Sequence, residues 1–350
     1  MATTVRTADR TWSGIIVDLL SGRDLTQDDT AWAMDQVVRG EATSAQVSGF
    51  LIALRAKGET STEIAGLASA LRGFATPVDV PGDIVDIVGT GGDRTNAVNV
   101  STMAALVAAS TGITVVKHGG RAASSASGGS ADLVEHLGIS LDLSPKAAAD
   151  VAVEAGITFL FAPRFNPGLR HVAAVRRELG VPTAFNVLGP LINPADPTHA
   201  VVGVADARMQ PVIANVLAAR RCNALVVRGE DGLDKLTTTA VSRVWTVSDG
   251  STAELLLDPR ELGLTLSTPE MLRGGSAPTN AEVLRRLLHG EPGPVRDVVL
   301  LNAAAALATR EEGPLLERLH HGLERCRAAV DSGAAARTLE VWTTASRSLS

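Results

Sequence analysis

The 350-residue chain has no tyrosine, and aromatic side chains make up only 3% of it. A core of stacked rings is therefore excluded. The 45% of residues that are hydrophobic must pack as Ala, Val and Leu, in close helices and α/β layers. Cysteine is nearly absent. Cys222 and Cys326 have neither metal-ligand spacing nor a disulfide framework, which fits a reducing cytoplasm. Positive charge is not in excess. A net charge of −6 argues against a general nucleic-acid-binding face, though it allows a local basic pocket. No run reaches the ~18 apolar residues of a membrane span. The opening MATTVRTADRTW lacks the apolar core of a secretion signal. The expectation is a soluble cytoplasmic protein, long enough for two or more domains, with no membrane partner.

What is present divides the chain in two. Residues 12 to 74 read as helices: Trp12, Ile15, Ile16, Leu19 and Leu20 recur at helical spacing. Thr43 with Gln46 and Thr60 with Glu63 have capping-box spacing ahead of apolar faces. FATPVDVPGD at 74–83 reads as a connection. Beyond it, candidate strands at 84–88, 113–117, 200–204, 224–228 and 243–247 alternate with Ala-rich helical stretches at 101–111, 130–137, 145–155 and 208–220. Helices are also expected at 280–289, 295–308 and 313–332. This pattern predicts an α/β fold class: a small N-terminal all-helical domain and a large α/β domain with a mostly parallel central sheet. The expected boundaries are 1–74, joined by helices near 165–180, and 75–350.

Four polar stretches follow apolar runs. The first is GTGGD at 89–93, with Asn99, Ser101 and Thr102 just beyond. Glycines let backbone N–H groups converge on an anion, and a helix start adds its positive end. Asp93 would orient a ribose hydroxyl or a backbone amide. The second is KHGGR at 117–121, where Lys117 and Arg121, with Ser124, Ser125 and Ser127, could hold a diphosphate. Open α/β sheets bind ligands at the carboxyl ends of their strands, so both loops belong at one edge. The third, RGEDGLDKLTTTA at 228–240, gathers Glu230, Asp231 and Asp234, oxygen ligands of the type Mg²⁺ takes. The fourth, residues 162–197, is locally basic through Arg164, Arg170, His171, Arg176 and Arg177. Neither a G-x-x-x-x-G-K-[ST] loop nor a helix-opening G-x-G-x-x-G occurs.

In this order, and over nearly the whole chain, these stretches resemble the anthranilate phosphoribosyltransferases. The matching pieces are GTGGD at 89–93, NVST at 99–102, KHGGR at 117–121 against the family's KHGNR, FNVLGPLINPA at 185–195 and DGLD at 231–234. GEATSAQVSGFLIALRAKGET at 40–60 is similar to the family's helical start. The resemblance implies a homodimer formed through the helical domain and an active site between the domains. It also implies Mg²⁺ as cofactor and 5-phosphoribosyl 1-diphosphate as sugar donor. By motif, Gly89, Thr90, Gly91, Gly92, Asp93, Asn99, Ser101, Thr102 and Lys117 would bind the donor. Ser101 would give its hydroxyl to one Mg²⁺, and Asp234 would help hold a second. The acceptor side would comprise His118, Gly120, Asn166, Leu169 and Arg176, with Arg176 meeting the carboxylate of anthranilate.

The chain departs from the family pattern at named positions. Gly120 replaces an Asn, Asn166 replaces a His, Leu169 replaces a bulkier side chain, and Lys235 replaces the Glu of DGLDE. The Ser/Gly loop before Ala131 is one residue longer than usual. The donor half thus reads as intact and the acceptor half as rebuilt. Three functions are compatible with that reading. The first is transfer of the phosphoribosyl group to anthranilate, as in tryptophan biosynthesis, with release of diphosphate. The second is the same transfer to a different aromatic acid in specialised metabolism. The third is a non-catalytic paralogue that binds a ligand or nucleic acid. No acid, base or covalent nucleophile is assigned in any of them.

Overall fold

The computed structural model describes residues 10–121 and 129–350. Four helices come first: α1 (Trp12–Leu20), α2 (Gln27–Val38), α3 (Ser44–Lys57) and α4 (Ser61–Phe74). Each opens on a threonine whose hydroxyl accepts a backbone N–H, and the expected capping boxes at Thr43 and Thr60 both form. A third, Thr26 with Asp29, starts α2. Glu63 goes further than a cap. It is fully buried and also accepts the Lys57 ammonium at 3.0 Å, which ties the end of α3 to the start of α4.

The chain then enters a sheet through β1 (Ile84–Gly89), α5 (Val100–Ala109), β2 (Thr114–Gly119), α6 (Ser130–His136), α7 (Pro145–Ala155) and β3 (Ile157–Phe161). Three helices return toward the first four: α8 (Ala162–Phe165), α9 (Arg170–Leu179) and α10 (Phe185–Leu188). The sheet resumes with β4 (His199–Gly203), α11 (Met209–Ala219), β5 (Asn223–Gly229), β6 (Ser242–Ser248) and β7 (Ser251–Leu257). It is covered by α12 (Ala277–Leu288), α13 (Pro294–Ala308), α14 (Leu315–Asp331) and α15 (Ala334–Ser348).

The strand order is β3-β2-β1-β4-β5-β6-β7, with β1 to β5 parallel and the last two antiparallel. The central strands are buried on both faces, which is why they read as unbroken apolar runs. Along β5, Leu225 and Val227 enter one core, while Ala224 and Val226 enter the other. The first core lies under α5, α7 and α12 to α15. The second joins α11 to α1–α4 and to Val172 and Val175 of α9. The scarcity of aromatics is met by close helix contact: a Cβ on Gly322 of α14 would lie 2.9 Å from the Ala304 carbonyl of α13.

The elements not read from the sequence include β3, β7 and α15, and the short helix α10 stands where a rigid loop was expected. A signal for β7 was present. Asp249 and Gly250 both have positive φ (51° and 77°) and join β6 to β7 as a two-residue hairpin turn.

Candidate active site

The connections after β1 and β4 part in opposite directions, because β1 leads to β2 on one side and β4 lies on the other. Ligands of open α/β sheets settle at such a switch point. A cleft of about 380 Å³ opens there, lined by Gly89 to Asp93, Asn99, Ser101, Thr102, Lys117 to Arg121 and Asp234 with Lys235. Three of the four polar stretches thus meet in one place, and the fourth contributes Arg176, Phe185, Asn186 and Gly189.

The glycine loop is held from both ends. Thr90 donates its N–H to Gly203 O at 2.9 Å, and its hydroxyl accepts from Ala205 N–H at 3.1 Å. Gly91 and Gly92 have φ of +69° and +81°, the left-handed region that glycine enters without cost. Farther on, Val98 N–H donates to Leu272 O and Gly274 N–H to Asn96 O, fixing the approach to α5. Asn99, the residue just before α5, is tied to α12 by accepting the Asn280 amide at 2.7 Å. Ser101 and Thr102 lie in the first turn of α5, where helix N–H groups and the dipole favour an anion.

Lys117 is 2% exposed and donates to Ile87 O at 2.5 Å. Burial pulls its ammonium down to about 8, and the nearby Asp86 carboxylate opposes that fall. Asp86 is itself buried, which raises it to about 6 against the pull of Lys117 and of Asn193. Asn193 donates to Asp86 Oδ2 and Val116 O, both at 2.9 Å, so it spans β1 and β2 beneath the cleft. Sequence reasoning missed both Asp86 and Asn193. The signal was a carboxylate inside the apolar run 84–88.

His118 lines the cleft with both ring nitrogens engaged. The Asn166 amide donates to Nε2 at 3.0 Å, so the ring proton sits on Nδ1 and is donated to Gly189 O at 3.3 Å. Burial lowers this histidine to about 4, and it is neutral at physiological pH. It therefore offers the cleft a ring and no free N–H. Asn166 stands behind it, with its own Oδ1 buried and unpartnered among the described residues. Gly120 borders the cleft, and among the described residues a Cβ there would meet nothing within 4 Å. Arg121 reaches the cleft edge, but its guanidinium is bound by Asp132 and Glu135 and lies over the Phe161 ring. Ser124 and Ser125 lie outside the described residues.

The acidic stretch separates into two parts. Asp231 is a loop brace that accepts from Leu233 N–H, Thr237 and Thr239, while Glu230 pairs with Arg243 on β6. Neither lines the cleft, so the three carboxylates do not form one cluster. Asp234 alone of the three enters. Its Oδ2 accepts Gly91 N–H at 2.7 Å and its Oδ1 accepts the Lys235 ammonium. Lys235 also reaches Asp93 Oδ2 at 3.4 Å, and Asp93 Oδ1 accepts Thr95 N–H. Asp93 so orients a backbone amide, one of its two expected roles.

A second, wider space of about 820 Å³ shares Thr90, Gly91, Gly92, Arg176 and Asn186 with the first and runs toward α3 and α9. Arg55, Arg94, Arg176 and Arg177 line it, against Glu59 and Asp206. Arg55 is already bound by those two carboxylates. Arg176 has no carboxylate partner among the described residues and rests over the Phe185 ring at 5.5 Å. Its partial burial without a counter-charge lowers its pKa, the mark of a cation held ready for an anion. Asn186, which fixes Thr183 N–H through Oδ1, borders both spaces; sequence reasoning passed over it inside FNVLGPLINPA. Leu169 packs against the core of the helical lobe, and neither space is lined by Leu169 or Asn166.

Residues 81–336 match the model of the glycosyl transferase family a/b domain, and residues 13–75 match the glycosyl transferase family helical bundle domain. An anthranilate phosphoribosyltransferase from Thermobifida fusca (strain YX) is 55% identical over 342 residues, covering 97% of this chain and 98% of the relative. Among solved structures, the anthranilate phosphoribosyltransferase from Thermus thermophilus superposes with a TM-score of 0.88 at 40% identity, over 95% of this chain and 99% of that one. The Saccharomyces cerevisiae enzyme, solved in complex with PRPP and Mg, gives 0.87 at 29% identity over 98% and 99%.

Proposed function

The chain belongs to the anthranilate phosphoribosyltransferase family, and from that premise we propose that it moves the phosphoribosyl group of 5-phosphoribosyl 1-diphosphate to anthranilate, releasing diphosphate. This is a step of tryptophan biosynthesis. The observation that carries the reading is a pair of adjoining spaces that share the glycine loop and Arg176, an arginine without a carboxylate partner among the described residues, with the start of α5 lining the first.

The reaction asks for little proton transfer. Positive charge grows on the ribose as diphosphate leaves, and the acceptor nitrogen attacks the anomeric carbon. The protein's part is to align the two partners and to stabilise the departing charge. The N–H groups of Gly92 and Asp93, the α5 start with Ser101 and Thr102, and the Lys117 ammonium supply fixed positive potential. Arg176 orients the acceptor through its carboxylate, with the ring directed back toward the sugar. Neutral His118, locked by Asn166 and Gly189, walls the junction and excludes water. Mg²⁺ suits this donor set. Ser101 borders the cleft, and a hard ion would take its Oγ together with donor oxygens and water. When bound, it supplies electrostatic stabilisation of the leaving diphosphate.

The working unit in this reading is a cytoplasmic homodimer formed through the helical lobe. Val17, Leu20 and Ile52 on the paired helices α1 and α3 are 55%, 73% and 40% exposed, an apolar surface for a second copy to cover. Purified protein given donor, Mg²⁺ and anthranilate should consume anthranilate fluorescence and release diphosphate in equal amounts. No turnover at saturating substrates would end the reading.

One observation favours a second acceptor. Among the described residues nothing lies within 4 Å of a Cβ placed on Gly120, room that an added ring substituent on an aromatic acid would use and an asparagine side chain would fill. Higher kcat/KM for a substituted acid than for anthranilate would establish that reading. Preference for anthranilate would dismiss it.

A further inference from the structure

Resting on the phosphoribosyl-transfer reading, we propose that Lys235 is the built-in cation of the cleft's acidic corner and binds the donor's diphosphate directly, so that the donor is held with one divalent ion and no second. The carboxylates of Asp93 and Asp234 are the two that line the cleft. Each of their four oxygens already has a protein donor: Gly91 N–H and Lys235 on Asp234, Thr95 N–H and Lys235 on Asp93. A metal in this corner would have to displace the ammonium or lie against it, and like charges at that range repel strongly.

The ammonium has little freedom to leave. A Cβ on Gly89 would collide with Asp234 Oδ2, and one on Gly203 would overlap Asp234 O. The strand ends therefore clamp Asp234, and Asp234 holds its neighbour. Lysine carries three N–H donors, and the two carboxylates use two of them. Among the described residues the third has no partner, and Lys235 lines the cleft beside Gly91 and Gly92. A phosphate oxygen would complete it. Ser101 lies on another part of the same wall, so one divalent ion retains a protein oxygen there. Among the described residues there is no group of three or more His, Cys, Asp or Glu side chains able to hold a metal.

The test counts ions. Donor-loaded wild-type protein is titrated with Mn²⁺ in place of Mg²⁺, and free Mn²⁺ is read by its electron paramagnetic resonance signal. One bound ion per donor-loaded protomer is expected. Lys235→Glu, which exchanges the ammonium for an oxygen ligand, should take up a second. Lys235→Met should weaken donor affinity about tenfold or more at fixed Mg²⁺, the scale of one lost charge-assisted hydrogen bond, and leave acceptor KM unchanged. Two Mn²⁺ per donor-loaded wild-type protomer would overturn the proposal, as would unchanged donor affinity in Lys235→Met. The wild-type count depends on no variant folding. Failure of wild-type protein to bind donor at all would instead remove the transfer reading and this proposal with it.

Discussion

Arg176 shows what a single residue decides here. It was expected to meet an acceptor carboxylate, and it stands half-buried over Phe185 without a carboxylate partner among the described residues. Arg176→Ala should raise acceptor KM by roughly ten- to a hundredfold, the worth of a hydrogen-bonded charge, and leave donor affinity unchanged. A rise in donor KM of the same size would place Arg176 on the other substrate. Lys117 sets a pH dependence. Its ammonium is pulled down to about 8, so it is charged below that pH and loses its proton above it. Donor affinity should therefore fall as pH rises through about 8, where donor phosphates are already ionised. Asp86→Asn removes the charge that opposes the fall and should move the loss to lower pH. A donor Kd unchanged between neutral and strongly alkaline pH would contradict this. Chemistry at this scale was legible where a motif carried it. Asp86, Asn193 and Asn186 were not, since each acts through contacts that the order of residues along the chain does not record.

At the scale of elements, the connection after β5 is what shapes the cleft. It abuts the ends of β1 and β4, and Asn302 of α13 pins it by exchanging hydrogen bonds with Leu236 N–H (3.1 Å) and O (2.8 Å). Gly203 permits that approach because its missing Cβ would overlap the Asp234 carbonyl, a backbone atom that cannot swing aside. Gly203→Ala should cost about 1–3 kcal/mol of stability, as overpacked sites do, and weaken donor binding together with Tm. Unchanged Tm would mean that the loop adapts. Elements with a strong local signal were read correctly: threonine caps, Ala-rich helices and the apolar strands of the sheet centre. Those missed have weak ones. β3 is five residues that begin just after the helix-ending Gly156, and β7 is a largely exposed edge strand without alternation. In the stretch at 228–240 the turn at Gly232 sends Asp231 and Asp234 to different neighbours, and only Asp234, the one of its three carboxylates singled out by motif, reaches the cleft.

For the whole molecule, net charge was a poor guide to the site. The chain is acidic overall, yet Arg94, Arg176, Arg177 and Lys117 border the two connected spaces, so the local potential has the opposite sign to the total. The α/β class followed from the alternation of segments, and α9, in the stretch near 165–180 expected to join the helical lobe, contacts α2 and α3. If the helical lobe joins two copies, Val17→Glu with Leu20→Glu should halve the mass seen by light scattering and leave the far-ultraviolet spectrum unchanged. A wild-type monomer would refute the dimer. The central claim is that the glycine-lined cleft grips the sugar diphosphate. Calorimetric titration of the purified protein with 5-phosphoribosyl 1-diphosphate and Mg²⁺ tests it most directly. Saturable binding of one donor per protomer is expected; no heat with donor at millimolar concentration would contradict the account.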